Sequence, residues 1–89
     1  MIPTNIQIGP DVLYQQLEGE VVLLNMSSQQ YYGLNEFGAS MWELLVELGD
    51  FDAVVKRLCE IYNVDQPTVT GDLERLVADL NAAGLVVTS

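Results

Sequence analysis

The chain has 89 residues, almost half of them apolar, and thirteen acids against three bases give it a formal charge of -10. That length supports one domain with a modest core and excludes wholesale disorder. The charge repels nucleic-acid phosphates and anionic lipid, and it either serves solubility alone or favours a basic partner.

Residues 1–8 show no pattern and are expected as a tail; the remainder of 1–89 reads as a single domain. "DVLYQQLEG" (11–19) is rich in strand formers, and Gly19 suits a turn. "EVVLLNM" (20–26) is a nearly continuous apolar run of strand length, as a central strand requires. "SSQ" (27–29) turns the chain and "QYYGL" (30–34) returns it, so three short antiparallel strands are expected. From Asn35 the period changes. Asn35 is a good N-cap, and Phe37, Met41, Leu44, Leu45 and Leu48 recur at helical spacing until Gly49. Asp50 caps a second helix with the stripe Phe51, Val54, Val55, Leu58 and Ile61 or Tyr62. Asp65 caps a third, with Pro67 in its first turn and Gly84 at its end. "LVV" (85–87) suits a short final strand. The expected fold is α+β, a three-stranded antiparallel sheet followed by three α-helices in a winged helix-turn-helix-like order.

In the third helix Leu73, Val77 and Leu80 form a core line. Val69, Leu76 and Ala83 stack beside it at seven-residue spacing, flanked by Asp72 and Asp79. This second stripe reads either as the rim of the core or as half of a groove for an apolar, basic peptide.

The search for chemistry excludes most of it. Histidine is absent, which removes the usual general base and the commonest zinc ligand. The one cysteine, Cys59, closes no internal disulfide or metal cage and sits at core spacing between Val55 and Tyr62, as a small buried hydrophobe. No glycine-rich phosphate motif occurs. Glu43 and Glu47 read as a solvated helix face, and Ser40 lacks the sequence context of a carrier-protein attachment site. No enzyme, cofactor or metal is expected. Neither a signal peptide nor an apolar run of the ~18 residues a membrane span needs is present, so the expected location is the cytoplasm, with no membrane contact.

"VVLLNMSSQQYYGLNEFGASMWELL", followed by "FDAVVKRLCEIYNVD" and "VTGDLERLVADLNAAGLV", resembles the PqqD-like family of precursor-recognition elements for ribosomally made peptides (RiPPs). The likeness covers about residues 11–87 and is nearest the discrete members of lasso-peptide biosynthesis. Its most diagnostic part is the Tyr-Tyr-Gly-Leu-Asn run at 31–35, with Gly38 and Trp42 after it. The resemblance implies a peptide chaperone whose third strand takes up a precursor leader as an added strand, with leader side chains lodged against the third helix. Gln30, Tyr31, Tyr32, Gly33 and Leu34 would then supply the edge. Val69, Asp72, Leu73, Leu76 and Asp79 would line the helix side, with Leu23 in the floor, Arg75 pairing a leader carboxylate, and Asp72 and Asp79 pairing leader Lys or Arg. Tyr32 and Leu34 read equally as core residues of the pleat. The implied partners are the leader, a separate cysteine-protease-type leader peptidase and the ATP-dependent cyclase. The alternatives are a PqqD-like chaperone for a radical SAM maturase and a winged-helix DNA-binding regulator. The latter's third helix would need several bases, but here Arg75 stands among Asp72, Glu74 and Asp79.

Overall fold

The computed structural model describes residues 5–88. In chain order it contains β1 (Ile6–Ile8), β2 (Val12–Leu17), β3 (Glu20–Asn25), β4 (Gln30–Leu34), α1 (Glu36–Leu48), α2 (Phe51–Tyr62), α3 (Gln66–Ala82) and β5 (Val86–Thr88). β2, β3 and β4 form an antiparallel sheet in that order, so the α+β, winged-helix-like arrangement holds. Each helix starts where a side-chain oxygen takes an amide that the helix itself leaves unpaired. Asn35 accepts from Gly38 N–H, Asp50 from Ala53 N–H and Asp65 from Thr68 N–H.

The sheet's central strand carries the core. On β3, Val21, Leu23 and Asn25 point inward, while Val22 and Leu24 are half-buried on the opposite face. The inward face packs on α1, whose Trp42 is fully buried and meets the Tyr14 ring of β2 edge-on at 5.3 Å. Phe51, Val54 and Leu58 of α2 and Leu73, Val77 and Leu80 of α3 close the same core. The α2 stripe ends at Leu58. Ile61 and Tyr62, expected to extend it, are exposed, and Tyr62 instead sets its ring against Phe37 at 5.2 Å.

The expected tail is corrected in part. Residues 1–4 lie outside the described residues, but Ile6–Ile8 is a strand paired antiparallel with β5 in the register Ile6↔Thr88, Ile8↔Val86. The reason is burial. Ile6 is 3% exposed within the core, and its N–H donates to the Gly49 carbonyl at 3.0 Å, fastening the N-terminal segment to the α1–α2 junction. Gly9 N–H donates to the Leu85 carbonyl at 3.0 Å and continues the clasp.

Ile6→Ala removes buried methyl groups from this clasp and should cost about 2–4 kcal/mol in urea unfolding. A loss below about 0.5 kcal/mol, the range of surface substitutions, would mean the segment is the tail its sequence suggests.

A candidate binding edge between sheet and helix

The register of β4 sorts its side chains. Tyr32 pairs with Leu23 and Leu34 with Val21, on the inward face; Tyr31 pairs with Leu24 and Gly33 with Val22, on the outward one. Among the described residues no strand pairs with the outer side of β4 or of β2. The two edges differ in what lies beside them. Along β2 the inward side chains are taken up by α1, Tyr14 on Trp42 and Gln16 in a hydrogen bond to Glu43. Beside β4 there is an open cleft of about 270 Å³ toward the C-terminal end of α3, lined by Asn25, Gln30, Tyr31, Tyr32, Ala83 and Leu85. An unpaired edge offers alternate N–H and C=O groups to another chain, and β4 couples such an edge to the cleft against α3.

Asn25 sets the width of that cleft. Its amide Nδ2 donates to the Ala83 carbonyl at the end of α3 at 2.9 Å. Its Oδ1 accepts from the N–H groups of Ser27 and Ser28 at 3.0 and 3.2 Å, holding the β3–β4 turn. The same carboxamide therefore ties sheet, turn and helix together from a nearly buried position. Gly84 makes room for it. A Cβ at that residue would stand 2.8 Å from Asn25 Nδ2, and its φ of +73° is one that side chains resist. Sequence reading places Ala83 on the groove stripe but misses Asn25 and Leu85 as lining residues. The available signal was a lone amide at the end of an otherwise apolar strand.

On α3 the Asp79 carboxylate is a near neighbour of the Tyr32 hydroxyl. Burial, and after it the Asp79 charge and hydrogen bond, hold the phenol above the ordinary tyrosine range. Gln30, Tyr31 and Tyr32 thus form the strand side of an edge-to-helix seam that Asp79 neighbours from α3, and Leu76, about one turn before Asp79, is half-buried against the core. Leu23, Leu34, Val69 and Leu73 do not belong to its surface. All four are buried in the core, where their side chains have no face left for a ligand. Arg75 is exposed and pairs with Asp72 at 3.7 Å, so both stand at the outer rim.

Gly33 has no neighbouring atom within 4 Å of where a Cβ would stand, and its φ is not in the left-handed region. Nothing in the chain's own packing demands glycine there, although glycine weakens a strand interior. Cys59 is half-buried, not fully so. It lines a separate, larger cleft of about 650 Å³ between the first turns of α2 and α3, with Phe51, Val55 and Lys56, away from any strand edge.

The model of the family described as coenzyme PQQ synthesis protein D (PqqD) matches residues 20–86. Among solved structures the chain is similar to TbiB1 in complex with the TbiA(beta) leader peptide. That likeness has a TM-score of 0.85 at 34% identity and covers 90% of this chain and 93% of that one. It is also similar in fold to lasso peptide synthetase B1 complexed with the leader peptide, with a TM-score of 0.83 at 24% identity over 93% and 98% of the two chains. No curated protein matches.

Asn25→Ala leaves the Ala83 carbonyl and two turn amides without their partner and should cost about 1–3 kcal/mol in urea unfolding, with faster amide exchange at Ser27 and Ser28. Asp79→Asn should lower the pH at which the Tyr32 phenol ionises, but only part of the way, because burial is the larger cause. Tyrosinate absorbance of each protein against its own Tyr32→Phe control reads this, and an unchanged midpoint would separate Asp79 from Tyr32.

Proposed function

Because the chain belongs to the PqqD family, we propose that it is a non-catalytic recognition protein for the leader segment of a lasso-type precursor peptide, bound by strand addition to β4. The observation that carries this reading is the conjunction at β4 of an unpaired edge and a cleft against α3. Main-chain hydrogen bonds from the edge supply affinity without regard to sequence, and alternate side chains of the added strand enter the cleft and supply selectivity. The 34%-identical neighbour, TbiB1, is a protein in complex with a leader peptide, which supports the lasso branch over the radical-maturase one.

In this reading the chain makes and breaks no bonds. It delivers the precursor to a separate cysteine-protease-type leader peptidase and to the ATP-dependent cyclase, working in the cytoplasm where the precursor is made. Holding the leader turns a bimolecular encounter into a local one, at effective concentrations that reach about millimolar for a short tether. Duplex DNA is the poorer ligand, since α3 sets Asp72, Glu74 and Asp79 against Arg75 and so reverses the electrostatic term on which such binding rests.

The test uses a fluorescent leader peptide from the precursor encoded beside this chain and two N-methylated versions of it. In each version every second amide is methylated, in opposite phase. The parent should bind with a Kd of about 1 µM or tighter. In an added strand one phase directs its N–H groups at β4 and the other away from it. One methylated peptide should therefore lose binding at least about tenfold and the other should stay near the parent. Equal losses, or no parent binding by folded protein, would sink the strand-addition reading.

A further inference from the structure

The chemistry of the seam points to a particular kind of side chain in the bound peptide. Tyr32 is the residue of β4 that reaches inward beyond the core, and Asp79 is where its hydroxyl arrives on α3. Asp79 lies one helical turn before the cleft-lining Ala83, whose N–H donates to the Asp79 carbonyl at 3.1 Å, so the two residues share a face of α3. Among the described residues it meets no base. Arg75 is engaged with Asp72, and Lys56 and Arg57 stand on the exposed face of α2. Its neighbour is therefore a neutral phenol, beside a carboxylate that offers roughly four acceptor sites. A neighbouring phenol leaves that carboxylate with capacity for a further donor.

Resting on the strand-addition reading above, we propose that Asp79 is a specificity-determining residue. It selects a basic side chain, arginine best, at the inward peptide position that passes Tyr32, and it rejects a carboxylate there. A guanidinium suits the site in two ways. Its fork matches the free carboxylate oxygens, and its plane can lie against the Tyr32 ring. The charge of -10 draws basic peptides from a distance, but long-range attraction does not specify a register. One carboxylate fixed beside the edge does, because a slip by one residue turns the basic side chain to the opposite face.

The experiment is a positional scan of the same leader peptide, each residue in turn being Arg, Gln or Glu, titrated against wild type, Asp79→Asn and Asp79→Glu. Circular dichroism confirms that each variant is folded. At one inward position the wild type should favour Arg over Gln by about fivefold and disfavour Glu by about tenfold, as expected of a partly exposed ion pair with a charge-assisted bond. Asp79→Asn should bring the three affinities within about twofold of one another, and Asp79→Glu should restore their order. A wild type that discriminates at no position, or an Asp79→Asn variant that keeps the full order, would overturn the proposal while leaving peptide binding intact. Loss of the parent peptide's binding to folded wild type would instead remove the reading on which it rests.

Discussion

One carboxamide sets the distance between the two walls of the cleft. Asn25 ends the central strand, and from there it reaches the last turn of α3 with its nitrogen and the β3–β4 turn with its oxygen. Buried polar groups without partners are costly, so a nearly buried amide that satisfies three backbone groups is tightly specified. Much else follows from where it sits. Gly84 must be glycine to admit it, and the chain then leaves the helix in the direction that brings Leu85 into the core and Val86 to β1. On the other side β4 starts where the turn releases it, with Tyr32 facing α3. The cleft is the gap that this brace maintains.

The two sides of the seam are unlike in a way that suits recognition. The strand contributes backbone and aromatic surface, Tyr31 at 75% exposure and Tyr32 half-buried, while the helix contributes Leu76 and a carboxylate. In the proposed strand addition, backbone groups would accept any peptide and the helix side would discriminate. Gly33 belongs to the tolerant half. Its bare position is not required by internal packing, and it leaves the outward face open beside Val22. The two walls of the cleft are thus placed by different forces, the sheet by apolar burial on one face and the helix by its caps and core line.

Much of this was legible in the residues, because the signals were local. Asn35, Asp50 and Asp65 act through amides three positions on, and each begins a helix as its type suggests. β4 coincides with "QYYGL" because a turn and a helix cap bound it closely. The failures were non-local or rotational. The three-residue strand β1 is too short to be told from a tail by its pattern, and its pairing with the expected β5 joins opposite ends of the chain. In α3 the stripe Val69, Leu76, Ala83 seemed to lie on one line, yet a seven-residue step falls about 20° short of two turns. The line therefore drifts out of the core, and Val69 is 1% exposed while Leu76 and Ala83 emerge to half-burial. An apolar run such as β3 likewise does not reveal which alternate residues face inward, so Leu23 was assigned to a floor when it belongs wholly to the core.

The open flank of β4 has a colloidal side. A strand that receives one extended chain can receive another of its own kind, and edge-to-edge association of copies is the first step toward fibrillar aggregates. Little in β4 itself guards against this, since its five residues include no charge or proline. Protection has to come from the rest of the molecule, through mutual repulsion between copies that each carry ten surplus negative charges. Acidification toward the isoelectric point near 4.1 removes that repulsion while the flank stays open. Of the two readings of the chain's acidity, solubility and a basic partner, the first thus has a specific task, which is to keep an unoccupied population dispersed.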